Sequence, residues 1–110
     1  MSYEVHILSS GYSVVENNHM LANCTCTLIK GPKNIIVDTM TPWDKDVILK
    51  GLTNHNLTPN DIDFVICTHG HSDHVGNNNL FLNAKLIVGF CVSHKDRYEY
   101  FPFKEGEIES

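Results

Sequence analysis

The sequence predicts an α/β fold, on three observations. Two apolar runs, Ile35-Ile36-Val37 and Phe64-Val65-Ile66-Cys67, are continuous rather than alternating, as in strands covered on both faces. Between them lies a helix-start signal followed by apolar residues at helical spacing. Directly after the second run comes a polar, glycine-containing stretch crowded with histidine, at the strand end where α/β folds place function.

The elements follow in order. Residues 3–8 read as a short strand, closed by the turn-rich Ser9-Ser10-Gly11. Residues 24–30 and 34–38 read as two strands joined by Lys30-Gly31-Pro32-Lys33, a strong hairpin-turn signal. Thr41-Pro42-Trp43-Asp44 then starts a helix: Thr41 caps, Pro42 suits the first helical position, and Asp44 completes a capping box. Trp43, Val47, Ile48 and Leu52 recur at helical spacing, with Trp43 expected to anchor the helix to the sheet, and His55-Asn56 closes the element. Thr58-Pro59-Asn60-Asp61 repeats the start signal for one short turn ahead of the strand at residues 64–67. Residues 80–82 suggest a brief helical turn and residues 86–88 another strand. Tyr98, Tyr100, Phe101 and Phe103 form an aromatic cluster expected to belong to a core.

Composition narrows the function. At 110 residues, 42% apolar and 19% charged, the chain fits one small globular domain. No apolar run approaches the roughly 18–20 residues that cross a bilayer, and the first residues lack a basic, then apolar, leader pattern. The expectation is neither membrane insertion nor classical secretion. Eight Lys plus Arg against thirteen Asp plus Glu give a formal charge of −5, which argues against a broad basic face for a polyanion. Nucleic acid gripped at a metal centre stays compatible, because the ion supplies the positive charge. Cys24, Cys26, Cys67 and Cys91 form no CxxC pair and read as reduced thiols of a cytosolic-type compartment. Cys24 and Cys26 share a strand face as small buried hydrophobes, and Cys67 reads as core.

Chemistry concentrates in His69-Gly70-His71-Ser72-Asp73-His74. Neutral imidazole nitrogens and a carboxylate oxygen are ligands that Zn²⁺ takes at about 2.0–2.2 Å. In an extended segment His69 and His71 point to the same side and meet one ion. Asp73 and His74 are adjacent and diverge, which suits a second ion beside the first. Gly70 and Gly76 are expected to let the loop curl around the cations. Two ions about 3.5–4 Å apart would hold a hydroxide between them, which Asp73 would orient, later carrying a proton as the catalytic carboxylate. Asp38 ends a buried strand. His6, His19 and His55 are scattered and read as structural or solvated, and His94 as a surface or loop histidine.

At these residues the chain resembles a known family. Residues 68–76, with His69, His71, Asp73 and His74 in register, look like the HxHxDH motif of the metallo-β-lactamase-fold hydrolases. Ile36-Val37-Asp38-Thr39 resembles the family's structural-aspartate segment, with Met40 where glycine is usual. The resemblance implies an αββα sandwich of which residues 1–110 form roughly the N-terminal half, one partial domain. It implies His69 and His71 on a first zinc, Asp73 and His74 on a second, and Asp38 hydrogen-bonding the metal loop from behind. A third histidine, a bridging aspartate and a last histidine of the family pattern have no matching position here. Closer wording, Val37-Asp38-Thr39 with Pro42-Trp43 and Gly76-Asn77, resembles a branch acting as an endoribonuclease on histone pre-mRNA 3′ ends. That branch implies cytoplasm and nucleus, a homodimer, and an RNA substrate. The alternative is a glyoxalase II-like thioester hydrolase, and iron in place of zinc would point to a persulfide-dioxygenase-like role.

A third reading is a non-catalytic truncated product. Two side chains per ion, against the three of a catalytic zinc, predict one tightly held zinc or none and no turnover. The half-sandwich is then expected to expose an apolar face of Ile, Val and Leu and an unpaired edge.

Overall fold

The computed structural model describes residues 2–68, 70–89 and 91–100, with Tyr100 as backbone alone. In chain order the strands are β1 (Glu4–Ser9), β2 (Tyr12–Glu16), β3 (His19–Asn23), β4 (Cys26–Lys30) and β5 (Ile35–Val37). The helix α1 (Lys45–Asn54) leads to β6 (Phe64–Cys67) and the one-turn helix α2 (Ser72–Val75). The strands β7 (Lys85–Val88), β8 (Cys91–His94) and β9 (Arg97–Tyr100) complete the described chain. Among the described residues a seven-stranded sheet runs β1-β4-β5-β6-β7-β8-β9, and β2 and β3 form a separate hairpin. The pairs β5–β6 and β6–β7 are parallel, and the other neighbours are antiparallel.

The continuous apolar runs earn two-sided burial because they occupy the middle of this sheet. Register places Leu28 beside Ile36, Ile36 beside Val65, and Val65 beside Leu86, so these side chains share one face. Against that face α1 lays Ile48 and Leu52, both fully buried with Met40, Cys67 and Phe81. Each such side chain contributes roughly 1.5–3 kcal/mol on burial. The opposite face carries Ile35, Phe64 and Ile87, with Ile29, Val37, Ile66 and Val92 half-buried around them. At its outer edge Val5 and Ile7 stand exposed on β1.

Both capping boxes form. Thr41 donates from its hydroxyl (2.6 Å) and its amide (3.2 Å) to Asp44 Oδ2, and Thr58 does the same toward Asp61 at 3.0 and 2.8 Å. Each closes a single 3₁₀ turn, Pro42–Asp44 and Pro59–Asp61.

Three local expectations are corrected. Trp43 does not anchor the helix: it is 89% exposed, because it sits in the 3₁₀ turn ahead of α1 and off the buried stripe of Ile48 and Leu52. Tyr98 does not join a core but stands exposed on β9; the Tyr100 side chain, Phe101 and Phe103 lie outside the described residues. The turn expected at residues 80–82 is Asn78–Leu80, after which Phe81 is buried and Leu82 exposed. The β2–β3 hairpin was not expected, yet its signal is present. Asn17 and Asn18 both adopt positive φ (51° and 64°), as two-residue hairpin turns require, between Val14-Val15 and Met20-Leu21. Among the described residues no helix is long and apolar enough to cross a membrane.

Candidate metal centre

Because β5 and β6 are parallel neighbours, the residues that follow them emerge at the same end of the sheet. Asp38 continues the ladder with its amide on Ile66 O at 2.7 Å, then turns left-handed at φ 63°. Its buried carboxylate faces the start of the histidine loop. It accepts the Thr68 amide at 2.9 Å and the Thr68 hydroxyl at 3.3 Å. His74 Nδ1 lies 3.1 Å from Asp38 Oδ1 and 3.2 Å from Thr68 Oγ1. A proton on Nδ1 would satisfy these oxygens and make Nε2 the nitrogen available to a metal ion.

His71 caps α2 with extended backbone and is exposed, and its carbonyl accepts the His74 amide at 2.9 Å. The helical turn brings Asp73 and His74 together rather than apart, with Asp73 Oδ1 3.6 Å from His74 Nε2. Adjacent side chains diverge in a strand, but the expectation of divergence fails here because these two sit in a helical turn. His69 lies outside the described residues.

A second layer of contacts holds this loop against the strand end. Thr39 and Asn77 are buried polar residues, and they form its centre. The Asn77 amide group donates from Nδ2 to Thr39 O and Thr41 O, both at 2.7 Å, and its backbone N–H donates to Thr39 Oγ1 at 3.0 Å. The Thr39 hydroxyl donates to Asn78 Oδ1 at 2.6 Å, and the Thr39 amide to His74 O at 2.8 Å. Gly76 donates its amide to Met40 O at 2.8 Å, and a Cβ there would stand 2.2 Å from that oxygen. Gly76 therefore admits the Met40–Pro42 backbone rather than the cations, which corrects its expected role. A Cβ on Gly70 would meet nothing described within 4 Å.

Cys24, between β3 and β4, is buried as expected of a small hydrophobe, but it is also part of the site. One ligand atom from each of Cys24, Asp38 and His74 lie within 4.8 Å of one another. Burial pushes the Cys24 thiol up to about 11, a hydrogen bond with the Met40 backbone opposes the rise, and the charges of Asp38 and Asp73 add to it. Cys26 and Cys67 are buried in the core, where burial raises their thiols to about 12 and about 11. His94 is exposed at the end of β8, with Nδ1 3.1 Å from Ala84 O. His6 stacks on His55 with ring centroids 4.1 Å apart and pairs with Glu4 at 3.1 Å. Nitrogen, carboxylate oxygen and sulfur are the donors zinc accepts, so the side chains present fit such an ion.

Comparison with known proteins gives a consistent picture. The sequence profile described as the metallo-beta-lactamase superfamily matches residues 20–108. Metallo-beta-lactamase domain-containing protein 1 of Xenopus laevis is 43% identical over 105 residues, covering 94% of this chain and 45% of the relative. A probable metallo-hydrolase of Methanocaldococcus jannaschii is 48% identical over 81 residues, covering 68% of this chain and 38% of that protein. Among solved structures, a provisionally assigned metallo-beta-lactamase from Thermotoga maritima superposes with a TM-score of 0.64 at 29% identity, over 76% of this chain and 42% of that one. The chain thus spans less than half the length of these relatives.

Proposed function

Because the chain belongs to the metallo-beta-lactamase superfamily, we propose that it supplies the metal-loop half of a zinc-dependent hydrolase acting on RNA, cleaving histone pre-mRNA 3′ ends. It carries the metallo-β-lactamase fold over the N-terminal part of that architecture. The observation that supports the reading is the convergence of Asp38, Thr68, Asp73 and His74 at the shared end of β5 and β6. In this reading His69 and His71 take one zinc, Asp73 and His74 the second, and the rest of each shell comes from sequence beyond these residues. The complete protein is a homodimer of the cytoplasm and nucleus.

The chain's own residues have separable tasks. Asp38 fixes the His74 ring through Nδ1, so that Nε2 faces Asp73 at 3.6 Å. Asp73, a quarter exposed at its side chain, is accessible enough to take a proton from an attacking water and return it to the leaving oxygen. Zinc bound here would lower the pKa of that water and neutralise negative charge developing on phosphorus or carbonyl oxygen. The net charge of −5 leaves RNA to be gripped at the metals rather than on a basic face.

Parallel assays of the complete protein on an RNA phosphodiester and on a glutathione thioester test the reading, with His71→Ala as the control. Metal-dependent RNA cleavage abolished by the substitution is expected. Thioester turnover without RNA cleavage would replace the nuclease reading with a glyoxalase II-like one. Elemental analysis is expected to find zinc, and stoichiometric iron would redirect the chemistry to oxidation.

A further inference from the structure

The sulfur of Cys24 lies with the ligand atoms of Asp38 and His74 in one cluster no more than 4.8 Å across. These residues come from three separate places: the β3–β4 connection, the end of β5 and the helical turn after β6. We propose that Cys24 is itself a metal ligand, donating a thiolate to the ion that His74 holds. The inference rests on the preceding reading only in that the histidine loop takes a metal.

Geometry and chemistry support it together. Donors at about 2.0–2.3 Å from a tetrahedral ion stand roughly 3.5 Å apart, and the Cys24 sulfur already lies within 4.8 Å of a ring nitrogen of His74. Cys24 packs in the same core cluster as Met40, which with Asp38 belongs to the left-handed stretch of backbone that follows β5. As the sulfur–metal bond forms, the thiol proton passes to solvent and the oxidation state of neither partner changes. A thiolate donor selects zinc, cadmium or cobalt over magnesium, calcium and manganese. It also adds one protein ligand to an ion that the loop alone would give two. Cys26 and Cys67 lie in the same core as Cys24 but are not part of this group of ligand atoms.

Cobalt and cadmium substitution of the whole chain tests this without reference to turnover. Wild type loaded with cobalt is expected to show a near-ultraviolet thiolate-to-cobalt charge-transfer band. Cys24→Ser should lose it and bind the metal about 100-fold or more weakly, while Cys67→Ala keeps it. Cadmium NMR of the wild type needs no variant, so misfolding of Cys24→Ser cannot obscure the answer. A strongly deshielded, thiolate-type cadmium resonance supports the assignment. Bound cobalt without the band, or a band that survives in Cys24→Ser, overturns it and leaves the hydrolase reading standing. Failure of wild type to bind either metal removes the inference and the metal-loop reading together.

Discussion

Met40 is a contest between backbone strain and side-chain burial, and its substitution decides which is larger. Its φ of 62° lies in the left-handed region, where a residue with a Cβ is disfavoured by roughly 1–2 kcal/mol. Glycine would remove that penalty, but the methionine side chain is 98% buried, against Ile48, Leu52 and the face of the sheet. Truncating a buried methionine costs about 2–5 kcal/mol, and glycine adds about 0.4–1 kcal/mol through the freedom it gives the unfolded chain. Met40→Gly should therefore destabilise by about 0.4–5 kcal/mol net, despite relieving the strain. Met40→Ala loses the same packing and keeps the strain, so it should be the worse variant by roughly 1 kcal/mol. Urea unfolding of all three proteins at constant m-value reads these differences directly. The ordering wild type, then glycine, then alanine is the signature. Glycine equal to or more stable than wild type would show that the side chain contributes nothing and that Met40 is tolerated strain.

Two other substitutions follow from the contacts around the loop. Gly76→Ala would bring a Cβ 2.2 Å from Met40 O, and ordinary contact at 3.4 Å requires the two backbones to part by about 1.2 Å. Overpacking of about 1–3 kcal/mol plus a lost hydrogen bond of about 0.5–1.5 kcal/mol should lower stability by about 2–4 kcal/mol and, if the loop takes a metal as proposed, weaken its binding, read by denaturation and by metal titration. An alanine variant with unchanged stability would refute the close approach. Burial alone would raise the Asp44 carboxyl, but hydrogen bonds from the Thr41 hydroxyl, Asn23 Nδ2 and the Thr41 amide outweigh it and lower it below its usual 3.8. Its contribution is then complete above that value and lost as pH falls through the lower folded one, so wild type and Asp44→Asn should converge in stability on acidification. A gap between them that stays constant down to about pH 2 would contradict this.

Much of the sheet is legible in the sequence because central strands must be apolar on both faces. Ile35-Ile36-Val37 and Phe64–Cys67 announce themselves that way, and proline with threonine and aspartate marks both 3₁₀ turns. Trp43 misleads because apolar spacing cannot tell a 3₁₀ turn from the first turn of a helix, and one residue of offset rotates a side chain off the buried stripe. The β2–β3 hairpin is quiet because all but one of its ten residues are exposed, leaving no hydrophobic alternation and only Asn17-Asn18 as a cue. His71, Asp73 and His74 are close in sequence and therefore readable as a group. Cys24 is not, since it stands fifty residues before His74 and meets it only after β4, β5 and β6 have paired.

The buried threonine–asparagine contacts also fix when the loop can take shape. They join residues 36 to 39 positions apart, so none can form until the chain between them, α1 and β6 included, has closed on itself. Contacts of such separation form late in folding, after the local hairpins and the helix. A metal ion offered to the nascent chain finds histidines but no pocket. The sheet must come first, and the ion arrives as a reporter of completed folding rather than as its template.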